Sequence, residues 1–367
     1  MNLWFKNIFS KPLVTILLVA LTLVGACAPV KASGSGSMVP KYIFLFIGDG
    51  MGFNQVQAAQ LFFSGLSFTE FPVRGTLRTE NVSGSTTDSA AAATALASGV
   101  KTHNGYLGLD PNGQQLVAVT VHAHNNGMKA GIISNMSMNH ATPAGFYAHN
   151  TSRKALGDIA LDMPDSAVSY FAGGGIVQGA DATVDIAAAL RDKGYRLINS
   201  LDELETLHKG AGRVYVQAPE LVAGQNMAWE IERRTAINLA KLVEKGTEVL
   251  YNPQGFFMMV ESGKIDYAGH VNDLATNVYE VKALDDAVRA ALNFYKKHPR
   301  ETLIIVTADH ETGGLTFQKP LEAAALRRIV GSRRLSYETF YRTIKTGQYR
   351  TLAAWKPYLR QYFGLVS

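Results

Sequence analysis

Three strand-like apolar runs in this chain each end on an acidic side chain, and this feature constrains the fold most. The runs are YIFLFIG before Asp49, GFFMMV before Glu261 and TLIIVTA before Asp309. Continuous runs of β-branched, aromatic and aliphatic residues are typical of strands buried on both faces, as in parallel sheets. Helical patterns separate the runs. We therefore predict an α/β fold, a three-layer α/β/α sandwich with a largely parallel central sheet.

The segments around these runs predict the other elements. KAGIIS is expected to be a short strand, and ATVDIAAALRDKGYRLINS a helix, a glycine turn and a strand. The segments NQVQAAQLFF, AAAATALASGV and NVYEVKALDDAVRAALNFYKKH are expected to be helices, the second ending near Gly99. The segment RRTAINLAKLVEKG predicts an amphipathic helix that Gly246 closes.

The acidic ends of the three runs predict a common site. Ligand sites in open parallel sheets lie at the carboxyl ends of the strands. One acidic residue there would most often cap the next helix. Three of them, with His310 directly after Asp309, indicate a cluster instead. The turn at Asp49 lacks the third glycine of the dinucleotide fingerprint, and a carboxylate there would repel a phosphate unless a metal ion lay between them.

The segment ESGKIDYAGH adds a second pair of ligand-type residues. Asp266 and His270 are four residues apart, so they share one face if the segment is helical. A carboxylate and an imidazole placed in this way suit zinc. The alternative is an ordinary surface contact between the two side chains.

A group of hydroxyl residues precedes an alanine-rich helix in STTDSAAAATALASG. One of them could simply cap the helix. Alternatively, a hydroxyl at a helix N-terminus lies in a positive field among free N–H groups that suit an anion. Zinc could activate such a serine. The hydroxyl residues are Ser85, Thr86, Thr87 and Ser89.

Other function classes are disfavoured by missing motifs and by the distribution of charge. The chain has no G-x-S-x-G nucleophile elbow and no G-x-x-x-x-G-K-[ST] loop. Residues 319–367 hold ten Lys or Arg against Glu322 and Glu338, a local charge of +8 that exceeds the formal charge of +5 of the whole chain. No basic stripe with interleaved aromatic residues occurs elsewhere, so we expect no nucleic-acid recognition.

The N-terminal residues predict export. Lys6 and Lys11 precede LVTILLVALTLVGA, which is too short to span a bilayer and typical of a signal peptide over residues 1–27. VGAC resembles a lipobox, in which Cys27 would be acylated; cleavage after ACA or VKA is the alternative. Residues 28–40 would form a flexible tether. We expect a periplasmic protein or one lipid-anchored to the bacterial outer membrane.

Five motifs together resemble the alkaline phosphatase family. They are GDGMG, TDSAAAATA, HATPAGFYAHNTSR, ESGKIDYAGH and TADHETGG, and they follow the family's order over residues 41–318. The resemblance implies an alkaline-phosphatase-like catalytic core over residues 41–320. Residues 321–367 would then form a helical connection.

The resemblance implies a role for each matched residue. Ser89 would be the nucleophile, and Arg153 would hold the phosphate, because a guanidinium matches two phosphate oxygens. His140 and Tyr267 would lie around the metals without binding them. The ligands would be Asp49, Asp309 and His310 for the second zinc, Asp49, Thr142 and Glu261 for a magnesium, and Asp266 and His270 for the first zinc.

The implied activity is hydrolysis of phosphate monoesters through a phosphoserine, with two Zn²⁺ and one Mg²⁺ as cofactors. Small phosphomonoesters and inorganic phosphate would be the partners. Whether the chain forms a homodimer is left undecided. A sulfatase would need a C/S-x-P-x-R motif, which is missing. The forms TDSA and TADHETGG point away from a phosphodiesterase or mutase. A catalytically weak or inactive, metal-binding exported lipoprotein is the remaining alternative.

This alternative, a weak or inactive enzyme, arises because the chain supplies too few ligands for the first zinc. Members of the family supply it with a further His from a segment well beyond TADHETGG, and this chain has no His after His310. A catalytic zinc usually has three protein ligands. The resemblance therefore predicts a chain truncated at its C-terminus that lacks a final strand region, holds the first zinc weakly and hydrolyses phosphate esters poorly.

Overall fold

The computed structural model describes residues 39–178, 183–317, 322–347 and 349–364. The strands are β1 (Tyr42–Gly48), β2 (Lys129–Ser134), β3 (Tyr170–Gly173), β4 (Tyr195–Ile198), β5 (Arg213–Gln217), β6 (Leu221–Val222), β7 (Asn226–Met227), β8 (Phe256–Ser262) and β9 (Thr302–Ala308). The helices are α1 (Phe53–Phe63), α2 (Ser89–Ser98), α3 (Val119–Asn125), α4 (Ala141–Ala144), α5 (Leu156–Leu161), α6 (Ile186–Asp192), α7 (Leu201–Glu205), α8 (Leu239–Leu250), α9 (Lys264–His270), α10 (Leu274–Tyr295), α11 (Ala323–Gly331), α12 (Tyr337–Lys345) and α13 (Leu352–Phe363). Short 3₁₀ turns lie at Ser67–Glu70, Ala223–Gln225 and Glu230–Glu232.

A seven-stranded sheet forms the centre of the fold. Its order is β4-β5-β3-β2-β8-β1-β9, and every neighbouring pair is parallel. The strands β6 and β7 form a separate antiparallel pair. The prediction of an α/β fold with a largely parallel sheet is confirmed.

The sheet has an apolar core on each of its faces. Along β1, Phe44 and Phe46 pack into one core, and Leu45 and Ile47 pack into the other. Successive side chains of a strand point to opposite faces, so a strand covered on both sides needs an unbroken apolar run. This explains why β1 and β8 carry no alternation of polar and apolar residues.

The strand β9 is less well covered than its neighbours. It pairs with β1 and has no second strand partner within the described residues. Leu303 and Ile305 are about 40% exposed, at 40% and 41%. The apolar run of β9 therefore resembles that of β1 in sequence, although it forms the edge of the sheet.

The prediction that Gly246 closes a helix is wrong. The helix α8 begins after Asn238, whose side chain accepts a hydrogen bond from the Lys241 amide, and it continues to Leu250. A Cβ at Gly246 would lie 2.8 Å from the Met258 side chain and 3.0 Å from the ring of Tyr170. The glycine therefore permits close packing of α8 on the sheet. By contrast, Gly99 ends α2 as expected, with φ +76°.

The expected signal peptide, with Cys27, lies outside the described residues, as does most of the tether. Within the described part of the chain, each helix is too short or too polar to cross a membrane.

Candidate active site

Three buried carboxylates lie side by side at the carboxyl edge of the sheet. Asp49 follows β1, Glu261 lies near the end of β8, and Asp309 follows β9. The strands β8, β1 and β9 are adjacent, and Gly48 pairs with both Ser262 and Ala308. The sheet register therefore brings the three acidic groups together. All three are buried, with exposures of 0 or 1%.

Gly50 allows the chain after Asp49 to turn tightly against its neighbours. Its φ is +69°, and its amide donates a hydrogen bond of 3.0 Å to Asp309 Oδ1. A Cβ at this position would lie 2.9 Å from the Cα of Asp266. A larger residue would push the turn away from the carboxylates, so the glycine is required both for its dihedral angle and for space.

The carboxylates have too few hydrogen-bond donors for their number. Glu261 Oε1 and Asp309 Oδ2 are buried without a hydrogen-bond partner within the described residues. Burial and the nearby Asp309 and Asp266 carboxylates raise the pKa of Asp49 well above its usual range. Burial raises the pKa of Glu261 to about 7 and also raises that of Asp309. Cations would relieve this repulsion, and hard oxygen atoms are suitable ligands for them.

His140 lies with the ligand-type residues, whereas the resemblance implied that it would lie around the metals without binding them. One of its ring nitrogens and carboxylate oxygens of Asp49 and Glu261 lie within 4.8 Å of one another. Its Nδ1 atom is buried and has no hydrogen-bond partner among the described residues. Burial together with the nearby Arg153 lowers the pKa of His140 to about 3. A neutral imidazole is the form that binds a metal. The signal for it was its position two residues before Thr142, an expected ligand.

Ser89 is the first residue of α2, and its hydroxyl faces the carboxylates. The side chain of Asp88 caps the helix by accepting a hydrogen bond from the Ala91 amide. Ser89 Oγ lies 3.4 Å from Asp49 Oδ1 and 3.2 Å from His310 Nε2. Of the four hydroxyl residues considered at the start of this helix, Ser89 is the one that bonds to these expected ligands within the described residues.

Arg153 and Thr142 border the same site. Arg153 Nη1 lies 3.2 Å from Asp88 Oδ2, which places the guanidinium beside the N-terminus of α2. Thr142 Oγ1 donates a hydrogen bond of 3.3 Å to Asp49 Oδ2. A guanidinium and a helix N-terminus together favour an anion between them.

The pair Asp266 and His270 lies on α9, as the spacing predicted. His270 Nε2 is 3.3 Å from Asp266 Oδ2, but the His270 side chain is 68% exposed. Asp266 also lies close to Asp49 and His310, with one ligand atom of each within 4.8 Å of the others. Thr312 Oγ1 donates a hydrogen bond to Asp266 Oδ1 and lies 3.2 Å from His310 Nδ1. His270 belongs to no such group of three within the described residues.

The residues therefore fit metal ions. Carboxylates, imidazoles and a threonine hydroxyl converge, and several of their buried atoms lack a hydrogen-bond partner in the part of the chain that the structure describes. The mixed oxygen and nitrogen donors suit zinc, and the oxygen-rich part around Asp49 and Glu261 also suits magnesium.

Comparisons with known proteins identify the family of the chain. The family model described as Alkaline phosphatase matches residues 40–178 and 178–345. Alkaline phosphatase 4 of Bacillus subtilis (strain 168) is 33% identical over 292 residues, which are 75% of this chain and 62% of that relative. Alkaline phosphatase of Escherichia coli (strain K12) is 28% identical over 399 residues, with 89% of this chain and 83% of the relative covered.

Solved structures give the same result. The cold-active alkaline phosphatase from the psychrophile Shewanella sp. has a TM-score of 0.75 and 30% identity, covering 89% of this chain and 81% of that one. Alkaline phosphatase from the Antarctic bacterium TAB5 has a TM-score of 0.68 and 31% identity, covering 76% and 80%. The sheet, the motifs and the family model agree, and the chain belongs to the alkaline phosphatase family.

Proposed function

We propose that this chain hydrolyses phosphate monoesters through a covalent phosphoserine on Ser89. The observation that carries the proposal is the position of Ser89 Oγ, between Asp49 and His310 at the start of a helix. Membership of the alkaline phosphatase family supports it. Because the chain spans 62% of the length of Alkaline phosphatase 4 of Bacillus subtilis, the activity of the whole relative is a proposal for this chain.

The reaction proceeds in two displacements. Ser89 Oγ attacks phosphorus, the bond from phosphorus to the ester oxygen breaks, and the alcohol leaves after taking up a proton. Water then attacks the phosphoserine, releases inorganic phosphate and restores the hydroxyl. The sum is ester and water giving alcohol and phosphate. Ser89 is 3% exposed, so the first attack takes place in a site that excludes most water.

Arg153 and the N-terminus of α2 bind the phosphoryl oxygens. The ion pair with Asp88 holds the guanidinium beside Ser89, which orients it before the substrate arrives. Binding that depends on the phosphoryl group and not on the leaving group gives a broad range of phosphomonoesters. Inorganic phosphate would occupy the same place as a product inhibitor.

We assign the metals as two Zn²⁺ and one Mg²⁺. When bound, such ions stabilise charge on the attacking and leaving oxygens. Asp49, Asp309 and His310 would hold one zinc, and Asp266 and His270 would contribute to the other. Thr142 and Glu261 would join Asp49 at magnesium.

A mutant of TAB5 alkaline phosphatase is described with Mg bound in its M3 site. A ring nitrogen of His140 lies beside Asp49 and Glu261, so the site assigned here to magnesium has a donor that also suits zinc.

We further propose that the protein is exported and anchored through Cys27. A homodimer is left as an alternative to a monomer. Processing and acylation at Cys27 would leave the catalytic part on a tether of residues 28–40. The support for this proposal is the apolar run and the lipobox-like VGAC of the sequence.

Replacement of Ser89 tests the proposal. We expect Ser89→Ala to abolish turnover of a chromogenic phosphomonoester and to prevent a phosphoserine from being trapped by acid quench and mass spectrometry. Ser85→Ala is the matched control, because Ser85 precedes the same helix but is exposed and bonded to Ser83. Normal turnover by Ser89→Ala, or a trapped phosphate elsewhere, would refute the assignment.

A second candidate function is metal binding with little or no turnover. The observation that favours it is the first metal position, where the described residues supply Asp266 and an exposed His270. The unaltered chain separates the two candidates. Bound zinc without any phosphoserine or turnover would favour the second, and turnover of a monoester but not a diester would favour the first.

A further inference from the structure

A short turn joins two of the expected metal ligands, Glu261 near the end of β8 and Asp266 on α9. Ser262 ends β8, one residue after Glu261, and the chain then enters α9, which carries Asp266. Any rotation of this turn moves Asp266 relative to Glu261. The turn is buried throughout, and its polar groups must therefore find partners within the protein.

The side chain of Asn135 supplies most of these partners. Its Oδ1 accepts hydrogen bonds from the amides of Gly263 at 2.8 Å and Lys264 at 3.3 Å. Its Nδ2 donates to the Ser262 hydroxyl at 3.3 Å and to Glu280 Oε2 at 3.1 Å. Asn135 is 4% exposed and directly follows β2, so it joins the sheet, the turn and α10.

The partner of Asn135 on α10 is itself fixed. Glu280 is 1% exposed, and its Oε1 accepts a hydrogen bond of 2.8 Å from the Glu230 amide. On another side of the turn, Lys264 Nζ donates to the Met227 carbonyl at 2.6 Å and lies 3.9 Å from the ring centroid of Trp229. The turn is thus held from three directions. Among the described residues, Asn135 is the one side chain that bonds to three consecutive residues of the turn, Ser262, Gly263 and Lys264.

We propose that Asn135 is a positioning residue that sets the distance and angle between Glu261 and Asp266. The hydrogen bonds of its side chain within the described residues go to the turn and to Glu280, and not to the ligands. Asn135 holds the turn between them, so that the ligands on β8 and on α9 face a common centre. The inference rests on the proposed metal-dependent function, because the geometry matters only if metals bind there. Hydrogen bonds that orient ligands commonly contribute about 10–100-fold to metal affinity.

The test exchanges the donor and the acceptor across the contact with Glu280. Asn135→Asp keeps the acceptor for the two amides but places a carboxylate against Glu280. We expect Co²⁺ affinity, measured by its visible absorption in the full chain, to fall about 10–100-fold. In the double variant Asn135→Asp with Glu280→Gln, an amide donor faces a carboxylate again, and affinity should return to within about threefold of the unaltered chain.

Asn252→Ala is the matched control. Asn252 makes hydrogen bonds of the same kind around the turn at the opposite end of β8, to the carbonyls of Leu250 and Gly255. It should lower the melting temperature without changing Co²⁺ affinity. Asn135→Ala removes the contacts without adding repulsion, so it replaces Asn135→Asp in the test if that variant does not fold. The Asn135→Ala chain should also bind Co²⁺ weakly.

Three results would overturn the inference: unchanged affinity in both Asn135 variants, an equal loss in Asn252→Ala, or no recovery in the double variant. Absence of Co²⁺ binding by the unaltered chain would do the same, since no ligand set would then be there to position. If the unaltered chain binds Co²⁺ and the variants behave as expected while no phosphomonoester is hydrolysed, the proposed function fails and the positioning role stands.

Discussion

The two halves of the candidate metal centre are built in different ways. In the inner half, Asp49, Glu261 and Asp309 come from adjacent strands, and all are buried. In the outer half, Asp266 and His270 come from a helix that follows a turn, and the His270 side chain is 68% exposed. Ligands on paired strands are fixed by the register of the sheet, whereas ligands on α9 depend on the turn and on local contacts.

The difference also affects electrostatics. Burial of the inner carboxylates, together with their mutual repulsion, raises their pKa values. His270 faces solvent, where charge is screened. A metal should therefore stabilise the inner half far more than the outer half. The following predictions test this contrast, beginning with the largest expected effect.

Asp49→Ala should have the largest effect, because Asp49 belongs to both groups of three converging ligands. We expect metal binding to be lost in both groups. Turnover should fall by at least the roughly 10²–10³-fold that one electrostatic group contributes. The measurement is metal content after dialysis, together with monoester hydrolysis. Asp192→Ala, at an exposed helix end, is the control and should match the unaltered chain. If Asp49→Ala keeps its full metal content, the inner half is not the metal centre.

The metal-free chain should lose stability as pH rises. The pKa of Glu261 is raised from about 4.5 to about 7 by burial, so the folded state binds this proton more tightly than the unfolded state. Its contribution to stability is fully present below the unfolded pKa and is lost as pH rises through about 7. We expect the melting temperature of the metal-free chain to fall between pH 5 and pH 8.

Glu261→Gln should reduce this slope, because the amide does not titrate. Added zinc should also reduce it in the unaltered chain by compensating the charge. The experiment is thermal unfolding in chelator at several pH values. A slope that is the same in the variant and in the unaltered chain would mean that other groups dominate, and the electrostatic contrast between the halves would lose its support.

The inner half could be predicted from the sequence, and its surroundings could not. Unbroken apolar runs identify buried strands, and the carboxyl ends of parallel strands must meet at one edge, so Asp49, Glu261 and Asp309 could be grouped. Asn135 also directly follows a parallel strand, but its amide is not a typical metal ligand, and His140 lies in the loop beyond that strand, so neither was grouped with the carboxylates. Gly246 was misjudged since a glycine that permits close packing looks the same in sequence as one that ends a helix.

Of the substitutions Asp49→Ala, Glu261→Gln and His270→Ala, the last should have the smallest effect. His270 is mostly exposed, and its contact in the described part of the chain is Asp266 at 3.3 Å. We expect the metals held by Asp49, Glu261 and Asp309 to stay bound. The affinity for one further zinc should fall by about tenfold, as for loss of a weakly held group.

Zinc titration with a competing chelator measures both classes of site in one experiment. Its control is His298→Ala, a histidine packed between Tyr42 and Phe294 at the opposite end of the sheet, which should change stability and not zinc binding. If His270→Ala removed zinc from the inner half as well, the two halves would form one cooperative site. The distinction between strand-borne and helix-borne ligands would then describe how the centre is assembled and not how strongly each part binds.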